Sequence, residues 1–486
     1  MGKDETADTS TETDTNEAAM PRDYADVVVG GQAGSEGKGA VVAHLIRTGD
    51  YGASVRPGSS NAGHTVYTKD GDNGWESYIH QVIPSAATVD GDVACYMAPE
   101  SSFGLDEFFE EYQDMADRWG SHNARLRVAV DPKAAVITGE HRHEEADRKL
   151  GDDIGSTVHG CGAVRVEKIW RSAGDVRLAE NYDALNSVLA QRHLIDAPGD
   201  APEHPGIDRV PALLRRHGEL GERVLVEGTQ GTLLSMNQSP HWPFSTSRDC
   251  TASAFLSSCG LPPSATGNVW AVFRTYPIRV GGHSGPLDSD EIDFETIAER
   301  AGHDEPPVEF TSVTKKKRRI FEWSWRQFEF AVQLNDPDLI AVTFLDYLDA
   351  DNYGARGWWD LTRDTREWVH RLHDRAQDEN GSAVALLKTG PLPEHTIDLR
   401  VEGGHGEEPW VFDGLPPVSP EQDGKRWRPG PDDNWFGYHP TPGVNYPSGE
   451  CADGNDETLS DGTNNDIVDA VRMAAKTHIG NEGDEE

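Results

Sequence analysis

Residues 26–39 read DVVVGGQAGSEGKG, a short apolar run that ends in a glycine-rich turn, and the next residues, AVVAHLI, begin a helical pattern. A strand feeding such a turn and then a helix aims backbone N–H groups at one spot, where the helix dipole also favours negative charge. That layout suits a phosphate and commits the chain to alternating α/β structure. The familiar rule G-x-x-x-x-G-K-[ST] is nevertheless not met: Gln32 precedes Gly37 by five positions, and Gly39 follows Lys38. Ser35 sits at the centre of the turn.

The same alternation continues to about Arg400. Strands are expected at 26–30, 223–228, 270–276 and 339–346. Helices are expected after Lys38, at 103–120 and at 323–335, with an exposed charged helix at 140–149. The predicted fold is a P-loop-like α/β domain, a mostly parallel central sheet flanked by helices, over residues 23–401. Residues 1–22 read as a disordered acidic tail. Residues 402–486 read as an irregular extension that closes with a helix at 466–478, DIVDAVRMAAKTH.

Composition narrows the surroundings. Lys and Arg number 44 against 84 Asp and Glu, a formal charge of -40, which argues against a nucleic-acid-binding surface. Thirteen Trp and fourteen Phe argue against disorder throughout. The acidic excess suits a halophilic protein working in molar salt, where screening acts within a few Å, or else a plain solubilising surface. Five scattered cysteines without a C-x-x-C pair fit a reducing cytoplasm. The N-terminal stretch lacks the apolar core of a signal peptide, and no run reaches the ~20 apolar residues of a membrane span. The expected setting is cytoplasmic, with no membrane and no nucleic acid as partner.

Three further stretches can carry chemistry. RPGSSNAGHT (56–65) is a small-residue turn with Asn61 and His64. VEGTQGTLL (226–234) is another, at the end of a strand, where α/β sheets place ligands. TSVTKKKRRIF (311–321) gathers five cations in an acidic chain and suits a small anion such as a dicarboxylate or phosphate. Each also has a plainer reading: a turn packed for structural reasons, a surface histidine, a solvated or targeting basic run.

Taken in order, these stretches resemble the adenylosuccinate synthetase family. QAGSEGKG and SSNAGHT are similar to its QWGDEGKG and NNAGHT loops, IHQVIPSA (79–86) to LHLIPSG, and IGSTVHGCG (154–162) to IGTTGRGIG. VEGTQGTLL is similar to FEGAQGTLL and TYPIRVGG (275–282) to YSTRVGAG. VQLN (332–335) is shared, VTFLD (342–346) resembles LTKLD, and LKTGP (387–391) resembles ISTGP. The resemblance spans residues 24–400. It implies a ligase that joins L-aspartate to C6 of a 6-oxopurine nucleoside monophosphate through a 6-phosphoryl intermediate, with Mg2+ and a nucleoside triphosphate.

Carried over position by position, Lys38 contacts phosphates, His64 is a general acid, and Gln230 meets the 6-oxygen. Ser35 and the Gly63 carbonyl fall at the magnesium position. Gly34, Gly37, Asn61, Thr157, Thr246, Val280, Asp346 and Gly390 fall at nucleotide-binding positions, and Thr314, Lys316 and Arg318 in the aspartate loop. Arg171 matches an arginine that enters the site from the second subunit, which implies a homodimer.

Several positions depart from the family. Ser35 replaces the aspartate that takes the N1 proton and ligates magnesium, and serine is a poor base. The loss also opens room beside C2 of the base. That change, with the short spacing between VTFLD and LKTGP, resembles the 2-aminoadenylosuccinate synthetase branch, which acts on dGMP and supplies a diaminopurine nucleotide. Ordinary IMP activity and a non-catalytic nucleotide binder are the other readings. Phe344 replaces a lysine that packs on guanine, so the donor is ATP or dATP, with GTP as the family's usual alternative. Lys316 replaces an arginine and loses its bidentate fork. Arg248 replaces a small residue near Thr246 and is either a further phosphate contact or a tolerated change.

Overall fold

The computed structural model describes residues 21–402 apart from 70–73, 90, 173–175, 190–208 and 312–314, together with 415, 416 and 418. Residues 1–20 of the expected acidic tail, almost all of the C-terminal extension with its last helix, and Thr314 lie outside the described residues.

Nine strands form the central sheet: β1 (Ala25–Gly30), β2 (Tyr51–Arg56), β3 (Ala94–Met97), β4 (Val128–Val130), β5 (Arg223–Glu227), β6 (Thr266–Arg274), β7 (Leu339–Thr343), β8 (Ala383–Lys388) and β9 (Thr396–Asp398). Their order is β9-β8-β7-β6-β1-β5-β2-β3-β4. Every neighbouring pair is parallel except β8 with β9. β1 is buried at every position, as a central strand covered on both faces must be. The chain leaves β1 toward β2 on one side and returns beside β1 as β6 before moving to β7 and β8 on the other. This reversal puts a crevice at the carboxyl ends of β1 and β6.

Helix α1 (Lys38–Thr48) starts from Gly37, whose φ of 83° is left-handed and therefore suits glycine. Gly39 lies where the first turn of α1 meets a hairpin, His64–Lys69 paired with Trp75–His80. A Cβ on Gly39 would stand 2.9 Å from the Cβ of His64, so no side chain fits there. This accounts for the missing Ser or Thr after Lys38. Among the described residues, the predicted strands and helices are all present. The strand expected at 339–346 stops at Thr343, because Phe344 turns left-handed (φ 61°) into a short 3-10 turn, Leu345–Tyr347. The helix expected to be exposed at 140–149 runs over Gly139–Asp147 and buries two of its charged or polar side chains, His141 and Glu145. Glu145 accepts backbone N–H groups of Gly160 (2.8 Å) and Gly162 (2.6 Å), which fixes the loop carrying Thr157. No described helix is long and apolar enough to cross a membrane.

Candidate active site

A cavity of about 440 Å3 opens at the carboxyl edge of the sheet. It is lined from the turns after β1 (Gly34, Ser35, Gly37), β2 (Asn61, Gly63), β5 (Gln230), β6 (Val280), β7 (Phe344, Asp346) and β8 (Gly390), with Lys38, His64, Thr157 and Arg318. A second cavity of about 170 Å3 adjoins it, shares Asn61, Thr157, Gln230 and Val280, and adds Thr246 and Arg279. Thirteen of the sequence-predicted positions therefore line the first cavity and a fourteenth, Thr246, the second, although they derive from loops far apart in the chain.

Three cavity residues hold left-handed backbone without being glycine: Ser35 (φ 57°), Gln230 (φ 59°) and Phe344 (φ 61°). Each such residue costs about 1–2 kcal/mol, so the surrounding contacts must fix them. Those contacts involve groups that the motifs did not single out. Glu36, fully buried in the turn, accepts N–H from Gln32 (3.2 Å) and Gly34 (2.8 Å) through one oxygen and binds the Lys38 ammonium (2.6 Å) through the other. Lys38 also donates to the Gln230 carbonyl. Lysine and turn are thus set before any ligand arrives, and the carboxylate of Glu36 is fully engaged. The Ser35 hydroxyl has no hydrogen bond among the described residues, while the Ser35 carbonyl accepts from Arg274 at 3.2 Å.

Glu227, at the end of β5, receives the Nδ1 side of His64 (2.5 Å), the Ser85 amide and hydroxyl (both 2.7 Å) and Arg56 (3.1 Å). Burial alone would raise its pKa, but these bonds and charges outweigh burial and hold it at about 2. Burial, with Arg56 nearby, pushes His64 down to about 4. With an anionic partner at Nδ1, the resting imidazole is neutral, donates Nδ1–H to Glu227 and presents a free Nε2. An anionic group arriving at Nε2 favours its protonation, which is what a general acid for phosphoryl chemistry requires.

At the far end of the cavity, burial raises Asp346 to about 6. Lys388, the last residue of β8, lines the same end and is almost fully buried, donating to the Leu392 carbonyl and the Thr396 hydroxyl, both at 2.9 Å. Burial, with Arg47 adding to it, lowers its pKa to about 7. In the second cavity Arg279 is buried, and its Nε and Nη2 have no partner among the described residues. A charged residue closing an otherwise apolar strand, as in RVLVE and AVALLK, was the available signal for Glu227 and Lys388.

The remaining predicted positions stand elsewhere. Arg171 is exposed beyond the end of the helix Cys161–Trp170 and lines neither cavity. Lys316 is exposed and also outside both linings. Arg248 lines neither cavity: its buried guanidinium turns to the Pro57 carbonyl and to Glu100, at 3.2 Å from the latter, and ties down the loop that bears Thr246. Four of the five cysteines are described; all four are buried, and none of them forms a disulfide among the described residues.

Adjoining cavities at the carboxyl ends of parallel strands, with a phosphate-type turn and a carboxylate-held histidine between them, define a nucleotide-dependent enzyme. The profile of the adenylosuccinate synthetase family matches residues 27–195 and 203–352. The chain belongs to that family and is a C–N bond-forming ligase. It is 32% identical to the adenylosuccinate synthetase of Thermococcus onnurineus over 381 residues, 77% of this chain and 98% of the relative. It is 30% identical to the N6-succino-2-amino-2'-deoxyadenylate synthase of Vibrio phage phiVC8 over 379 residues, 77% of this chain and 98% of that protein. Among solved structures it is similar to the cyanophage S-2L succinoaminodeoxyadenylate synthetase bound to dGMP and to dATP as an energy donor. That likeness has 26% identity and a TM-score of 0.59, covering 79% of this chain and 98% of that one.

Proposed function

We propose that the protein joins L-aspartate to C6 of dGMP or GMP, giving N6-succino-2-amino-(deoxy)adenylate, with ATP or dATP as phosphoryl donor. The observation that carries this is the turn at Ser35. The family's aspartate is absent there, the serine hydroxyl is unengaged, and the neighbouring Glu36 cannot take over because both its oxygens are held. A carboxylate beside N1 and C2 would exclude an exocyclic 2-amino group; a hydroxyl leaves room for it and can accept its N–H.

In this reading the N1 proton leaves to water held by the Ser35 hydroxyl. O6 then attacks the γ-phosphoryl group and the nucleoside diphosphate departs. The aspartate amine adds at C6, loses a proton, and inorganic phosphate leaves with the former O6. Lys38 faces the phosphates and Nε2 of His64 the transferring group. Thr157 and Thr246 face the monophosphate, with Asn61 and the open Nε and Nη2 of Arg279 beside them, its Nη1 being held by the Phe244 and Ser284 carbonyls. Arg318 faces the aspartate carboxylate. The Ser35 hydroxyl and Gly63 carbonyl are neutral oxygens, a donor set that would suit Mg2+ brought in with the triphosphate, and such an ion would supply charge screening at the transferring phosphoryl.

Phe344, Asp346, Lys388 and Gly390 face the donor base; an aromatic ring in place of the family's lysine favours adenine, as does the dATP of the cyanophage relative. A homodimer would bring Arg171 of one subunit to the site of the other. The exposed apolar side chains beside it, Val166, Ile169 and Trp170, suit an interface.

Chromatography of reactions in molar KCl with aspartate, ATP and one of dGMP, GMP or IMP tests the reading. Succinylated product from dGMP or GMP supports it. Product from IMP alone makes the protein an ordinary adenylosuccinate synthetase, and nucleotide binding without product makes it a binder.

A further inference from the structure

Arg274, the last residue of β6, has its whole side chain buried, yet the reaction above does not use it. Its peptide group is clamped by the Gln32 side chain, which accepts from Arg274 N and donates to its carbonyl, both at 3.0 Å. Its guanidinium reaches three separate pieces of the site. Nη1 donates to the Ser35 carbonyl (3.2 Å). Nη1 and Nη2 together grip the Glu309 carboxylate, Nη1 at 3.2 Å. One face lies 3.9 Å from the centre of the Phe344 ring. Glu309 in turn binds Arg318 (2.6 Å) and accepts the Tyr347 hydroxyl (3.1 Å), and Tyr347 stands edge-on to Phe344 with ring centres 5.1 Å apart. Arg318 N also donates to the Glu309 carbonyl at 3.0 Å, so this pair forms the foot of the loop that carries the basic run.

We infer that Arg274 is a positioning residue that couples the donor-base end of the cavity to the aspartate end: it ties Phe344 and the Ser35 turn to Glu309, and through Glu309 sets where Arg318 stands. The inference rests on the proposed roles of Phe344 and Arg318. A guanidinium suits this task because its flat face stacks while its fork holds a carboxylate, a combination lysine cannot supply. A donor base settling against Phe344 restrains the ring, hence Arg274, hence Glu309 and Arg318, before aspartate arrives. By linkage, aspartate restrains the ring for the donor to the same degree.

Phe344→Leu keeps an apolar side chain, touches neither aspartate nor the monophosphate, and removes the face on which Arg274 rests. Tyr347→Phe removes only the hydroxyl on Glu309 and serves if the first variant folds poorly. In the wild type, the aspartate KM should fall at least about fivefold between sub-saturating and saturating triphosphate, near the low end of usual coupling strengths. In either variant that ratio should approach one while the monophosphate KM stays put. An unchanged ratio, or an effect confined to the triphosphate KM, overturns the coupling. Hydrogen exchange of the ligand-free full chains is read alongside. The Arg318 amide should exchange several-fold faster in the variants, with β7 unchanged, and equal rates overturn the wiring. This arm does not depend on turnover, so a wild type that makes no succinylated product defeats the proposed function while the exchange still judges Arg274.

Discussion

At the scale of single residues, the proposed function turns on position 35, where one carboxyl group would separate two substrates. Ser35→Asp would place a charge beside N1 and C2 of the bound base, next to a Glu36 whose own oxygens are already held. We expect the ratio of kcat/KM for guanine over hypoxanthine monophosphates to fall about tenfold or more, equivalent to about 1.4 kcal/mol; an unchanged ratio removes the steric argument. His64→Gln should lower kcat by about 10²–10⁴, the usual range for a lost acid–base group. Its stability carries a second test. The folded imidazole takes its proton near pH 4 and an ordinary one near 6.5, so between those values the unfolded chain binds more protons and stability falls as pH is lowered. Thermal melts should show the wild type's stability relative to His64→Gln declining from pH 6.5 to 4, and a difference independent of pH would contradict a buried neutral imidazole. His64 itself was legible from its motif. Its carboxylate partner was not, because Glu227 lies 163 positions away and meets it only through strand order.

At the scale of elements, Glu227 is a junction. It joins the ends of β5 and β2 through Arg56, the start of the hairpin through His64, and the turn at Ser85. Glu227→Gln would leave a buried Arg56 without its counter-charge, a defect that typically costs about 3–5 kcal/mol. Urea titration should show that loss as a lower midpoint at unchanged slope, and a midpoint within error of the wild type would show that the junction is not ionic. The order of β1, its turn and α1 could be read directly, since an apolar run, glycines and a helical pattern follow one another without interruption. The ends of β6, β7 and β8 were harder. Arg274, Phe344 and Lys388 close apolar runs, and sequence alone does not say whether such residues turn to solvent or inward. Arg248 shows the same limit: its charge suggested phosphate, while the loop around Thr246 needed an anchor on Glu100.

For the molecule as a whole, the charge of -40 governs the conditions under which anything can be measured. The Debye length is ~10 Å at 0.1 M salt and ~3 Å at 1 M, so self-repulsion among surface carboxylates is largely removed only at the higher concentration. If the chain is halophilic, its melting temperature should rise steadily between 0.1 and 2 M KCl, and a flat response would make the acidic excess a solubility feature only. Architecture was the most legible level, because alternation of apolar strands and helices specifies a covered parallel sheet. Assembly was the least legible, because Arg171 stands exposed, outside both cavities, and the homodimer proposed for it involves a surface that strand and helix patterns do not mark. The close approach at Gly39 also divides the labour within the loop. P-loops of the common kind carry a hydroxyl after the lysine, whereas here the histidine-bearing hairpin fills that space, so the turn's grip on an anion is left to Lys38 and to backbone N–H groups.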